Sequence, residues 1–449
     1  MTHRMQPWSV LAAVVTAQLM IGVDATILSL AIPEMTAELR LSDGGVAWVM
    51  AGYVLAAGSL MIAAGRAAQA IGYARVMTAG LLVFGVASVV GGAAPDGWLL
   101  IAARVAQGIG AAALTPAAMA RLSAAFPGES RAKAYGIFGM IMGSGTAIGL
   151  LLGGVLTQLA SWRACMYVNV VFVLVSLGFS ARARDRADRT AGHAHGWWRG
   201  IVLAGGAAAI IQALTAVDHP ARALAFGAAG VLVLGGFVVV DRRSTSPLIP
   251  GALFQNPTRR VAYLGLLLWG FATINTFVTA SRSLQQERGL APLLVGGLFL
   301  VYPLAIQLGL FASRRFGERP AARSIGIGLA LMAAGQTVFA IAGTGVGGVL
   351  AGLVLMGVGT SQVMPNANSA MNRDAGPHAG VAGAVGTTLQ QLGGSLGLAI
   401  PVALTLGTSH AAQAAAGVTA AALVIGAALA LRQPIEALAE SSTAQGELQ

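Results

Sequence analysis

Apolar stretches of about twenty residues recur along almost the whole of this 449-residue chain, and the arginines fall in alternate gaps between them. A bilayer core of ~30 Å is crossed by roughly 20 helical residues. Inside it every backbone N–H and C=O must find its partner within the protein. This pattern confines the chain to one kind of fold, a bundle of membrane-spanning helices. The balance of 56% hydrophobic to 10% charged residues fits lipid-embedded protein rather than a soluble core.

Fourteen such stretches are legible, at 8–30, 46–64, 75–94, 98–120, 134–157, 164–181, 200–217, 222–240, 260–280, 291–312, 323–343, 346–370, 380–406 and 411–431. The expected fold is all-α and polytopic, with fourteen transmembrane helices in two pseudo-symmetric six-helix bundles and a two-helix insertion. The N-terminal bundle is expected over 1–190, a linker with inserted helices seven and eight over 191–256, and the C-terminal bundle over 257–432. Residues 433–449 read as a disordered cytoplasmic tail. The partition follows two polar gaps: Ala181–Arg199, and the Ser-, Thr- and Pro-rich Asp241–Arg260. The first stretch is too long for a signal peptide and reads as retained.

Of the 27 Lys and Arg residues, 21 lie on the side shared by both termini. Five (Arg40, Arg163, Arg222, Arg282, Arg288) lie opposite, and Arg104 sits inside a stretch. This asymmetry puts both termini in the cytoplasm of a cytoplasmic (inner) membrane protein. The net charge of +11 then records orientation, not a nucleic-acid partner. Glycine, with 61 copies, falls largely within the stretches, where small residues let helices approach closely. The single Cys165 excludes an intramolecular disulfide.

An ionised group in hydrocarbon is costly enough to count as a functional candidate. Of the 16 acidic residues only Asp24 lies well inside a stretch, and Arg104 is the only deeply placed base. Burial favours the neutral form of a carboxyl and a neighbouring cation favours the charged form. A carboxylate alternating between such environments can couple proton movement to conformation. Asp24 is the expected proton carrier; the competing reading is a carboxylate satisfied by neighbouring helices. Arg104, Gln107 and Gly108 share a helix face, so Arg104 either pairs with Asp24 or binds backbone carbonyls. Intramembrane amides give a candidate substrate cavity: Gln18, Asn275, Gln307, Gln362, Asn366, Gln390 and Gln391. Asn169, Gln212, Gln336 and Asn368 belong to the same class. The His193/His195 pair lacks a third ligand, so no metal is expected. Nor is any cofactor: Gly108-Ile-Gly110 has no βαβ context, and no phosphate-loop sequence occurs. No nucleophile–base set converges, so the chain is not expected to be an enzyme.

These residues resemble the major facilitator superfamily, specifically its fourteen-spanning drug:proton antiporter branch. Asp24-Ala-Thr26-Ile27 through Ala31-Ile-Pro33 is similar to the branch's D-x-T-I…A-L-P pattern. Arg104…Gln107-Gly108 matches R-x-x-Q-G, and Gly149…Gly153-Gly154 with Ser161-Trp162-Arg163 and Asn169 is similar to the fifth-span antiporter pattern. Ala379…Gly383 with Gln391…Gly397 looks like the branch's span-thirteen pattern, and Gly65…Gly72 with Arg75 like its loop between spans two and three. The departures are Gln69 at that loop's aspartate, Ala70 and Ala74 at two basic positions, and Leu150 at the fifth-span proline.

The resemblance implies a monomeric, proton-coupled exporter of small, fairly apolar or cationic organic compounds, working by alternating access. Asp24 and Arg104 would serve proton coupling; Gly65, Gly72, Arg75, Gln107, Gly108, Gly149, Gly153 and Gly154 would form its gating motifs. Three alternatives stand beside it: a narrow exporter of one metabolite or antibiotic, a transport-impaired sensor or scaffold, and, least favoured because no ring or filter of repeated polar residues occurs, a channel.

Overall fold

The computed structural model describes residues 6–126, 129–183, 198–216, 219–244, 247–315, 319–342, 345–372, 379–405 and 411–432. The linker carrying His193 and His195 and the tail 433–449 lie outside these residues, as does the side chain of Gln69. All regular structure among the described residues is helical. The first group of helices is α1 (Gln6–Ile27), α2 (Ile32–Leu39), α3 (Asp43–Ile71), α4 (Tyr73–Gly92), α5 (Gly97–Ala125), α6 (Glu129–Leu159) and α7 (Trp162–Arg182). A hairpin follows, α8 (Trp198–Thr215) and α9 (Pro220–Arg242). The last group is α10 (Pro257–Arg282), α11 (Pro292–Phe299), α12 (Val301–Arg315), α13 (Ala321–Ala342), α14 (Val346–Asn372), α15 (Ala379–Thr405) and α16 (Ala411–Leu431). Helical segments occupy all fourteen expected stretches. Among the described residues 11 are long and apolar enough to cross a membrane, and two shorter apolar helices cover Ala147–Leu159 and Trp198–Leu214.

Local chemistry sets the helix ends. Ser42, Asp96 and Asn256 cap α3, α5 and α10 by accepting from the N–H groups of Gly45 (3.1 Å), Leu99 (2.9 Å) and Arg259 (3.1 Å). Pro220, Pro257 and Pro292 occupy first helical positions, where a missing N–H costs nothing. Three details depart from the sequence reading. The segment Gly65–Ile71 is not a loop but the last two turns of α3. The chain then reverses on Gly72 alone, whose φ of +103° suits glycine. A short helix, α2, follows the first span and stops at Arg40 in the left-handed region (φ 50°). The tenth stretch is two helices, broken at Leu300.

Two large apolar cores result. One joins α1, α3, α4, α5 and α7 around Met20, Tyr53, Met77, Phe84 and Leu114. The other joins α10 to α16 around Leu266, Phe299, Leu329, Met332, Leu353 and Leu423. The groups meet along two seams. In one, α6 lies against α11: the Gln158 side chain accepts from Leu293 N–H (3.3 Å), and Gly154 and Gly296 lie against the backbones of α11 and α6. Nearby, Ser281 donates to Ser29 O (2.7 Å) and Gln285 to Leu30 O (3.2 Å). In the other seam, α3 lies against α15: Thr388 donates to Gly58 O (2.7 Å) and Ser395 to Ala51 O (3.4 Å). These bonds fall in the middle or in the half of the bundle away from the arginine-rich side.

Helix α8 covers the α3/α15 seam. Ala51, Leu55, Ala207 and Ile211 form a small apolar cluster with Leu392 against it, and Trp48 donates its indole N–H to the Gln212 carbonyl oxygen (2.9 Å). Its partner α9 packs on α8 and otherwise exposes an apolar surface suited to lipid. Asp241 buckles the hairpin to the chain after it. It accepts from Arg199 (3.1 Å) and from the backbone N–H groups of Leu248 (2.7 Å) and Ile249 (2.9 Å).

Candidate functional site

The site begins with backbone proximity. Small residues on α6 repeat every fourth position, and α1 lies directly on them. A Cβ placed on Gly145, Gly149 or Gly153 would stand 3.1 Å from Gly22 Cα, 2.6 Å from Val23 O or 2.5 Å from Ile27 O. This crossing presses the turn of α1 that carries Asp24 into the bundle and leaves its side chain 0% exposed.

There Asp24 meets a complete set of partners. Its Oδ2 accepts from Arg104 Nη1 at 2.7 Å and its Oδ1 from Asn169 Nδ2 at 2.7 Å. Arg104, 1% exposed, also donates to Gln107 Oε1 (2.7 Å) and, through Nε, to Val49 O (3.2 Å). Its guanidinium carbon lies 4.3 Å from the centre of the Tyr53 ring. Gln107 passes the network to Ser88 (2.8 Å), whose hydroxyl donates to Phe84 O (2.7 Å). Five helices, α1, α3, α4, α5 and α7, thus converge on one ion pair. A buried pair is tolerated when its remaining hydrogen-bonding capacity is met, and here most of it is. Both expected alternatives for Arg104 hold together: it binds Asp24 and a backbone carbonyl.

On the arginine-poor side a second polar cluster ties α2 to α7. Glu38 accepts from Arg163 (2.8 Å) and from the Trp162 indole, while Arg163 holds the carbonyls of Gly92 and Ala94 (2.8 Å each). The bonds from Arg163 and Trp162 hold the Glu38 carboxyl below the ordinary carboxylate range.

The expected cavity amides scatter. Asn275 has both ends of its amide engaged, with Thr419 of α16 (2.8 Å) and Thr279 (3.1 Å), and is buried between helices. Gln362 donates to Ser361 (3.1 Å), and Asn366 and Asn368 donate to carbonyls of their own helix around Pro365 (2.7 and 2.9 Å). The Asn366 and Asn368 amides fold back onto their own helix, whereas the carbonyl that Pro365 leaves without its helical donor is that of Ser361. Gln390 and Gln391 are half-buried on α15, with Gln391 against Gly58 of α3 at the seam. Gln18 is buried, and its amide nitrogen finds no partner among the described residues. Gln307 is exposed on α12, beside Leu304, Leu308 and Phe311 on an open surface of that helix.

The glycines expected in gating motifs form packing surfaces: Gly108 lies on the backbone of α3, Gly154 on that of α11, and Gly65 near Pro116. Arg75 is exposed at the start of α4. Sequence reasoning missed Tyr53 and Ser88. The signal that marks Tyr53 is an internal repeat. Tyr53-Val-Leu-Ala56 recurs as Tyr302-Pro-Leu-Ala305, and Gly108-x-Gly110…Pro116 recurs as Gly357-x-Gly359…Pro365. The structure repeats the contact as well: Gly108 sits on Tyr53 O and Ala56, and Gly357 on Tyr302 O and Ala305.

Comparison with known proteins agrees with this architecture. Residues 14–398 match the family model of the Major Facilitator Superfamily. The chain is 36% identical over 438 residues to the puromycin resistance protein of Streptomyces alboniger, covering 93% of this chain and 86% of that one. It is 32% identical over 425 residues to the cephamycin export protein of Amycolatopsis lactamdurans, covering 87% and 83%. Among solved structures, the POT family transporter PepTSo shares the fold, with a TM-score of 0.71 at 14% identity over 95% of this chain and 96% of that one. With its helical bundle and its buried ion pair, the chain belongs to the Major Facilitator Superfamily and is a multi-pass membrane transporter, not an enzyme.

Proposed function

We propose that the protein is a proton-coupled antiporter that exports small, fairly apolar or cationic organic compounds across the cytoplasmic membrane. In this reading fourteen helices span the bilayer and both termini are cytoplasmic. The protein works as a monomer in which two six-helix bundles (1–190 and 257–432) rock about a midplane site, with 191–256 as the inserted linker and hairpin. The observation that carries the proposal is the Asp24–Arg104 pair, dry and joined across two helices at 2.7 Å. Protonating Asp24 removes the attraction between α1 and α5, so proton entry and a change of helix packing become one event. Each proton entering supplies ~2.3 kcal/mol per 100 mV of membrane potential in addition to the pH gradient.

The seams described above lie away from the arginine-rich side, which supports a conformation open toward the cytoplasm. Glycine contacts at equivalent places in the two helix groups support the two-bundle layout. The two relatives compared above each carry one antibiotic in their names, which favours the narrow-specificity form of the same reading.

The test is flux in proteoliposomes under an imposed pH gradient, with puromycin, a cephamycin and a cationic dye as probes. Wild type should move at least one probe against its gradient, and the number moved reports the breadth of specificity. Asp24→Asn should lose gradient-driven flux while keeping substrate counterflow. Driven flux at the wild-type rate in this variant would remove Asp24 from the coupling.

A further inference from the structure

The internal repeat makes one side chain of the coupling site informative by comparison with its own copy. Gly149 packs on the carbonyl and Cα of Val23, and Gly397 packs in the same way on Phe271. The residue after each is Asp24 in the first group and Ala272 in the second. Four residues before Gly108 stands Arg104; four residues before Gly357 stands Leu353. The second group therefore fills the place of the ion pair with two apolar residues, both buried. The tyrosine is kept in both groups, but it is used differently. Tyr302 engages its hydroxyl, 2.9 Å from Thr360 Oγ1. The Tyr53 hydroxyl has no hydrogen-bond partner among the described residues, and its ring face carries the Arg104 guanidinium instead. An edge-on Phe84, with centroids 6.4 Å apart, fixes the plane of that ring.

We infer that Tyr53 is a positioning residue of the coupling site: its ring, with Val49 O and Gln107 Oε1, holds the Arg104 cation in place while Asp24 is protonated. This rests on the proton-coupled reading of Asp24. The physical need is plain. Neutralising one member of a buried pair strands the other charge, and a stranded buried charge is strongly unfavourable. Arg104 stays protonated throughout, so the step is possible only where other groups receive the cation. Val49 O and Gln107 supply two acceptors, and a desolvated aromatic face supplies the remaining attraction. No covalent change at Tyr53 is involved; the proton goes to Asp24 and the ring acts as a fixed electrostatic surface.

The experiment compares Tyr53→Phe, which keeps the ring, with Tyr53→Leu, which removes it, in proteoliposomes carrying whichever probe the wild type moves. Tyr53→Leu should lower gradient-driven flux by about tenfold or more while counterflow stays near the wild-type rate. Tyr53→Phe should keep both. Wild-type driven flux in Tyr53→Leu would overturn the inference, and so would parallel loss of driven flux and counterflow, which marks a packing role. Equal loss in Tyr53→Phe would assign the effect to the hydroxyl and also refute the ring. If Tyr53→Leu does not fold, Tyr53→Met fills the volume without a ring and is read the same way; failure of both to fold while Tyr53→Phe folds counts as a packing role. Asp24→Asn separates the two claims. Driven flux in Asp24→Asn sinks the coupling site as a whole, whereas its loss there with retention in Tyr53→Leu removes Tyr53 only.

Discussion

Asp24 and Arg104 illustrate what a single charge costs in a membrane protein and how the cost is met. Each is paired, each has further partners, and Asn169 and Val49 O take part of the hydrogen-bonding capacity the pair leaves open. Removing one partner of a buried pair typically costs roughly 3–5 kcal/mol, while replacing both with apolar residues is often neutral. The second helix group already shows the apolar version, Ala272 with Leu353. Arg104→Leu alone is therefore expected to lower the thermal unfolding midpoint in detergent sharply. The double variant Arg104→Leu/Asp24→Ala is expected to recover most of it, without recovering gradient-driven flux. A double variant as unstable as the single one would contradict this account of the pair. At this scale the sequence was informative because lone charges in apolar stretches are conspicuous. Tyr53 escaped notice because a tyrosine in a helix is unremarkable until a cation is seen lying on its face.

Helices in this molecule are placed by their glycines more than by amphipathic stripes. Lipid removes the usual distinction between a buried and an exposed apolar face, so close approach depends on small residues. Gly145, Gly149 and Gly153 bring α6 onto α1, and Gly393 and Gly397 bring α15 onto α10 in the same manner. The expected outcome differs by position. Gly149→Ala drives a methyl into the Val23 carbonyl and should reduce the yield of folded protein in membranes several-fold. Gly235→Ala, on α9, meets nothing within 4 Å and should leave the yield unchanged. Equal yields from the two variants, measured by fluorescence-detected size exclusion, would show that the α1/α6 crossing tolerates separation. Helix positions were legible from hydropathy; their internal breaks were not. Leu300 and the one-residue turn at Gly72 carry little signal, because apolar composition continues through or up to both.

The whole molecule is asymmetric across its two seams. One is covered by α8 through Trp48–Gln212, and the other is closed chiefly where α6 meets α11. The proposed alternating access requires that second contact to part. With Cys165→Ser as background, Gln158→Cys and Leu293→Cys place thiols on both sides of it, where the Gln158 side chain reaches Leu293 N–H (3.3 Å), to be joined with a short bis-thiosulfonate. Cross-linking of the pair is expected to abolish flux and reductant to restore it, read in the same proteoliposomes. Flux that continues at full rate in the cross-linked protein would mean that transport does not open this seam. The inserted hairpin gave no chemistry in its sequence. Its place over the α3/α15 seam explains why its α8 face is small and apolar, with one amide at the end that meets Trp48.

The membrane environment, the helix positions and the two unusual charges are all legible residue by residue, because the bilayer imposes length, hydrophobicity and a cost for ions that act locally. Which helices touch is a matter of packing in three dimensions, and so is the fact that Asp24 and Arg104, 80 residues apart, neutralise each other over a tyrosine ring. The candidate amides show the same limit: an asparagine can face a cavity, a neighbouring helix or its own backbone, and its letter is the same in each case. Contacts between distant segments depend on packing geometry, and that information is spread over many small residues rather than written in any one of them.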